Sequence, residues 1–171
     1  MSSVFLGVGS NLDNPTRHVL KAFDDLTQLP MTAVVKASSL YHTAPMNNKP
    51  HPSYINAVVA IETSLDPPSL LSALNEIERL HGRIRSTELH APRPLDLDIL
   101  LYGNLDIKTE KLSIPHPGIY ERSFVLIPLF EIASELILPN GEPIRVVITR
   151  CSYDGIAQLS EVEIRGLMNV D

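Results

Sequence analysis

Leu95-Asp96-Leu97-Asp98-Ile99-Leu100-Leu101-Tyr102 is apolar throughout except for two carboxylates in alternate positions. Read as a strand, the run puts Leu95, Leu97, Ile99 and Leu101 on one face and both acids on the other. Cβ atoms two residues apart lie about 6.6 Å from one another, and bare charges there repel by about 2.5 kcal/mol at an effective dielectric of about 20. A strand this apolar is expected at the centre of a sheet, where acids meet little water, so something positive should lie between them. The candidates are an arginine or hard divalent cations, the natural partners of carboxylate oxygens. The plain alternative is that one acid caps a turn or pairs with Arg93 while the other faces solvent. Carboxylates that clamp paired metal ions serve phosphoryl transfer, and the nearby Arg83, Arg85 and Arg93 carry the forked donors that suit phosphate oxygens.

Composition narrows the function further. A chain of 171 residues is most simply one domain, expected over residues 1–160 with a C-terminal tail at 161–171, and such a domain buries roughly 70% of its unfolded surface. The single cysteine, Cys151, allows neither a disulfide framework nor a thiolate zinc site. That suits a reducing cytoplasm, and the start Met-Ser-Ser-Val-Phe-Leu-Gly has neither the basic nor the long apolar part of a signal peptide. A soluble cytoplasmic protein without a membrane partner is expected, monomeric or at most a weak dimer. Net charge of -6 and a pI near 5.5 disfavour nucleic-acid binding. Arg79, Arg83, Arg85 and Arg93 instead concentrate positive charge locally, as a small anionic ligand would require.

Along the chain, Ser3 to Val8 reads as a strand, and Gly7-Val8-Gly9-Ser10-Asn11-Leu12 reads as a tight turn. It is no dinucleotide fingerprint, because Leu12 stands where the third glycine belongs, and the chain has no P-loop. Asn14 and Pro15 open a helix with Val19, Leu20, Phe23, Leu26 and Leu29 at helical spacing, stopped by Pro30. Thr32 to Tyr41 and Tyr54 to Thr63 read as strands. The proline-rich Thr43 to Ser53 between them is too long for a tight turn and reads as a functional loop. Asp66, Pro67 and Pro68 open a second helix closed by Gly82, and Gly82 to Pro92 reads as a mobile loop. After the acid strand, Leu105 to Ile114 reads as an added antiparallel edge strand. Phe124 to Glu135 reads as a strand or bend and a short helix, and the chain beyond Pro143 as a short helix and polar tail. The order to residue 102 is βαββαβ, so the fold expected is α+β: a ferredoxin-like antiparallel sheet with both helices on one face, C-terminal additions, and the other face free for loops and ligand. That architecture hosts many functions.

Several spaced motifs then coincide. Gly9-Ser10-Asn11-Leu12, Tyr54-Ile55-Asn56-Ala57, Glu78 through Gly82-Arg83-Ile84-Arg85, Arg93-Pro94-Leu95-Asp96-Leu97-Asp98, Ile114-Pro115-His116-Pro117 and Glu121-Arg122-Ser123-Phe124 occur in that order. Together they resemble the 6-hydroxymethyl-7,8-dihydropterin pyrophosphokinase family of folate biosynthesis, from about residue 4 to about residue 150. The resemblance implies transfer of the terminal pyrophosphoryl group of ATP to a reduced pterin, leaving AMP. It implies Asp96 and Asp98 as holders of two Mg2+ ions and, with Arg83 and Arg93, as the catalytic set. It assigns Asn75, Glu78, Arg83, Arg85, Arg93, Ile99, Lys111, Ser113, His116 and Arg122 to ATP. Thr43, Pro45, Met46, Tyr54, Asn56, Asp96 and Phe124 go to the pterin, with Asn56 reading its amide edge between two aromatic rings.

Without that resemblance Tyr54 and Phe124 read as core aromatics, Asn56 as a satisfied strand amide and His116 as a loop residue held by its prolines. His18, His42, His51 and His81 carry no functional reading. Leu89 and His90 stand where relatives commonly have an arginine and an aromatic residue, Ser86 replaces a frequent basic residue and Pro94 a common threonine. The rival readings are another Asp-x-Asp phosphotransferase, which would form ADP or release pyrophosphate, and a non-catalytic binding module. RNA binding would want aromatics among basic residues on the sheet, yet aromatics are 5% of the chain.

Overall fold

The computed structural model describes residues 1–44, 52–82 and 94–168. In order these form β1 (Ser2–Ser10), α1 (Pro15–Thr27), β2 (Thr32–Ala37), β3 (Tyr41–Thr43), β4 (Tyr54–Thr63), α2 (Pro67–Leu80) and β5 (Asp96–Tyr102). There follow β6 (Ile107–Lys108), β7 (Ser113–Ile114), α3 (Ser123–Ile132), α4 (Ile144–Val147), a 3-10 turn (Ile148–Arg150), β8 (Ile156–Gln158) and α5 (Glu161–Met168). The main sheet runs β5-β1-β4-β3-β8, with β2 also on β4, and its pairings are antiparallel. Because β2 and β3 pair along the same side of β4, they act as one interrupted strand, and the ferredoxin-like βαββαβ order holds. The interruption is local chemistry: the Ser38 hydroxyl takes the Val58 N–H at 2.9 Å while the Ser38 N–H meets the Val58 carbonyl at 2.8 Å.

Both long helices begin as their caps demand. The Asn14 side chain accepts the Arg17 N–H ahead of Pro15, and Asp66 accepts the Ser69 N–H at 2.8 Å ahead of Pro67. They bury Val19, Leu26, Leu70 and Leu74 against Val4, Leu6, Ile61 and Ile99 in one core, each large side chain stabilising the fold by about 1.5–3 kcal/mol. Where α1 meets the end of α2, His18 Nδ1 lies 2.7 Å from His81 Nδ1, and His81 Nε2 lies 2.7 Å from Asp25 Oδ2. Lys21 closes on the same Asp25.

The opposite sheet face is not left free, as the sequence suggested. The far half is covered by α3, α4 and the 3-10 turn, which join Val58, Leu100 and Leu101 in a second core. Phe124 to Glu135 contains no strand: Ser123–Ile132 is helical with Pro128 inside it. Its residues look strand-like because a helix buried on most sides loses its polar stripe.

Two further expectations fail at β5. It is the edge strand of the sheet, not a central one; its apolar residues are covered because α2 and β7 pack against it as well. A register shift between Phe5 and Leu6 leaves Leu100 as an extra residue, pairing Leu6 with Ile99 but Phe5 with Leu101. Leu101 therefore joins the second core and Tyr102 the first, the reverse of simple alternation. Leu105 to Ile114 adds nothing to the main sheet, since β6 and β7 form a separate two-stranded ribbon. Beyond Pro143 the chain does more than trail: β8 pairs with β3, and Ile164 of α5 packs on the first core.

Candidate active site

Strand register decides which side chains share the polar end of the second face. Gly9 lies opposite Asn56 on one side and Asp96 on the other, and Gly7 lies opposite Val58 and Asp98. Thr43 lies opposite Tyr54. Residues directly opposite in an antiparallel pair project to the same face. Asp96, Asp98, Asn56, Tyr54 and Thr43 are thereby brought together. The acids are not starved of water as a central strand would make them, for the Asp98 side chain is 38% exposed.

Gly7 and Gly9 are strand residues, not the tight turn read from sequence. A Cβ on Gly9 would sit 2.8 Å from Asn56 Oδ1, closer than real Cβ contacts come. A Cβ on Gly7 would meet Leu100 at 3.4 Å, an ordinary van der Waals contact that leaves no room for a longer side chain. Each glycine is thus the place where a neighbouring side chain lies across β1. The amide of Asn56 is buried and anchored, its Nδ2 donating to Thr43 Oγ1 at 3.0 Å.

His116 and Arg122 lie in the β7–α3 connection, and Phe124 in the first turn of α3. The His116 N–H donates to the Leu100 carbonyl at 3.0 Å, which docks this loop on the outer edge of β5. His116 Nδ1 accepts the Gly118 N–H at 3.0 Å, so a neutral ring carries its proton on Nε2, and Nε2 faces Asp98 Oδ2 at 3.9 Å. Burial pushes the imidazole below its ordinary pKa, the Arg122 charge adds to this, and Asp96 opposes it. Near neutral pH the ring is therefore an N–H donor. The Arg122 guanidinium carbon stands 5.7 Å from the centre of the Phe124 ring, within cation–π range.

The remaining described residues expected to hold ATP lie on α2, β5 and the β6–β7 ribbon. Glu78 is buried on α2, and its carboxylate accepts the Leu97 N–H at 2.8 Å, capping the open edge of β5 on the helix side. Asn75 and Lys111 are exposed, Ser113 is half-buried in β7, and the Ile99 side chain is in the first core. Pro45, Met46, Arg83, Arg85 and Arg93, and with them Ser86, Leu89 and His90, lie outside the described residues. Sequence reading put Gly7 and Gly9 in a tight turn and gave Gly118 no reading. The signal for the first pair was present: Phe5, Gly7 and Gly9 alternate with Val4, Leu6 and Val8, which marks glycines within a strand.

Residues 5–134 match the family model for 7,8-dihydro-6-hydroxymethylpterin-pyrophosphokinase (HPPK). The 2-amino-4-hydroxy-6-hydroxymethyldihydropteridine pyrophosphokinase of Haemophilus influenzae is 44% identical over 148 residues, 86% of this chain and 92% of that protein. The protein of the same name from Pseudomonas aeruginosa is 38% identical over 156 residues, 91% of this chain and 96% of that one. Among solved structures, an HPPK-DHPS in complex with substrates matches with a TM-score of 0.70 at 15% identity over 87% of this chain. Wild-type Plasmodium falciparum HPPK-DHPS matches with a TM-score of 0.68 at 16% identity, also over 87%. This chain spans 43% and 44% of those two solved chains, and at such identity they speak for the fold. With the family model spanning most of its length and two relatives matched nearly end to end, the chain belongs to the 7,8-dihydro-6-hydroxymethylpterin-pyrophosphokinase family.

Proposed function

We propose that this chain transfers the terminal pyrophosphoryl group of ATP to the hydroxymethyl group of 6-hydroxymethyl-7,8-dihydropterin, releasing AMP and the pterin pyrophosphate. The observation that carries the reading is the polar row across three strands from Asn56 through Gly9 to Asp96, with Asp98 two residues further along β5 on the same face. A fixed amide offers the donor and acceptor that a pterin edge requires. Tyr54 and Phe124 supply rings to flank a flat heterocycle. His116 and Arg122 stand beside the acids with N–H groups for phosphate oxygens.

In this mechanism the protein acts by alignment. Asn56 fixes the pterin so that its hydroxyl oxygen points toward Asp96 and Asp98, in line with the β-phosphorus of ATP. A new oxygen–phosphorus bond forms there as the hydroxyl gives up its proton to solvent, the bond from the β-phosphorus to the α–β bridging oxygen breaks, and AMP departs with that oxygen. Phosphoryl transfer demands positioning and charge neutralisation more than covalent help. The donor set of two carboxylates fits Mg2+, which is habitually held by one or two carboxylates plus substrate phosphates. Among the described residues no group of three or more His, Cys, Asp or Glu gathers into a metal cage. When bound, the two ions expected there would neutralise and align the phosphates. Arg83, Arg85 and Arg93 are assigned to the same phosphates on resemblance. No helix among the described residues is long and apolar enough to cross a membrane. The single cysteine suits a reducing compartment, and we assign the enzyme to the cytoplasm on that ground.

The test supplies ATP, Mg2+ and 6-hydroxymethyl-7,8-dihydropterin and follows the nucleotide. AMP and pterin pyrophosphate in equal amounts support the reading. ADP would make this a different phosphotransferase, and no turnover would leave a binding module.

A further inference from the structure

The turn from His116 to Arg122 carries two donors assigned above to the nucleotide, and Gly118, a residue without a side chain, touches both. Gly118 donates its N–H to His116 Nδ1 at 3.0 Å, and its carbonyl accepts the Arg122 N–H at 3.1 Å. A Cβ built on Gly118 would lie 2.5 Å from Arg122 Nε, 2.9 Å from its Cδ and 3.1 Å from its Cζ. The arginine side chain therefore folds back over the Gly118 Cα before reaching the Phe124 ring.

We propose that Gly118 is a positioning residue for ATP: its N–H sets the His116 ring with Nε2 outward, and its missing Cβ opens the seat in which the Arg122 guanidinium lies across Phe124. Glycine is not needed there for backbone reasons, because Gly118 is absent from the residues of positive φ. What the position requires is room. An alanine keeps both backbone hydrogen bonds and fills only the seat, so the guanidinium must swing away from the place it now holds. An ordinary turn glycine behaves differently, since alanine at a permitted φ is neutral or mildly stabilising and changes no ligand.

The inference rests on the ATP reading of the site. The experiment compares the full chain with Gly118→Ala, Arg122→Ala and the double variant, measuring KM for ATP, KM for the pterin, kcat and melting temperature. Gly118→Ala is expected to melt no lower than wild type yet to raise KM for ATP about tenfold, the scale of one charge-assisted hydrogen bond. Its effect on the KM for the pterin stays below about twofold, because the Asn56 end is untouched. In the Arg122→Ala background the alanine at 118 should add nothing. An unchanged KM for ATP in Gly118→Ala, or equal losses with and without Arg122, overturns the role of Gly118 and leaves the enzyme reading intact. A wild-type chain that forms no AMP sinks the ATP reading, and the proposal with it.

Discussion

Val4, Leu6 and Val8 of β1 are at most 2% exposed among the side chains of α1 and α2. One position along, on the other face, the side chains shrink toward the acid end: Phe5 packs on the second core, then come Gly7 and Gly9. The same strand thus presents a uniform face and a graded one. On the uniform face every residue serves burial, and neighbouring side chains share the load. On the graded face the far half is core under α3, while the near half gives up side-chain volume so that Leu100 and Asn56 can lie across the backbone. Stability and activity should therefore separate by face.

The sharpest break is at the acids. Asp96→Asn with Asp98→Asn should lower kcat/KM for AMP formation by about 10³-fold, since groups that neutralise transition-state charge act at that scale. The melting temperature without ligand should fall by no more than a few degrees, because relief of the like-charge repulsion offsets the partners the acids lose. A large drop in melting temperature would make the acids structural. Leu6→Ala on the uniform face should cost about 2–5 kcal/mol in urea unfolding while the folded fraction keeps its kcat and both KM values. Altered substrate KM in that variant would abolish the division between faces. Gly9→Ala, on the graded face, should weaken pterin binding about tenfold by displacing the Asn56 amide, with ATP affinity held, as read by calorimetry. Equal losses for both ligands would refute the displacement.

The smallest effect lies within the helix layer. His18 is held below its ordinary pKa of 6.5 by burial first and by His81 second, against the attraction of Asp13. With Asp25 accepting the His81 Nε2–H, the two rings share one hydrogen bond when neutral and repel if both are protonated. A depressed folded pKa means that this stabilisation is fully present above about pH 6.5 and is lost as pH falls through the folded value. Melting temperature should drop on acidification below that point. His18→Gln, which keeps a donor but does not titrate, should drop less; an identical slope would clear His18 of the effect.

Much of this was legible in the residues. Capping residues placed α1 and α2, and alternation placed the acids on one face. What escaped depends on neighbours far along the chain. The edge position of β5 could not be read because its covering residues, Glu78 and His116, are 19 and 16 positions from the residues they contact. The helix at Ser123–Ile132 was hidden by its own burial, and Gly118 by the fact that its use is to make room for Arg122. The pairing of His18 with His81 needed two helices side by side.

The extra residue at Leu100 has a consequence for how this strand can change. It divides β5 into two phases: before it, odd-numbered residues turn to the helices, and after it, even-numbered ones do. With the end of the strand held in register, losing or gaining a single amino acid between Asp98 and Leu100 would carry Asp96 and Asp98 through the sheet into hydrocarbon, whereas the same slip beyond Leu100 would merely exchange one leucine or tyrosine for another. The strand is therefore intolerant of length variation at its start and forgiving at its end.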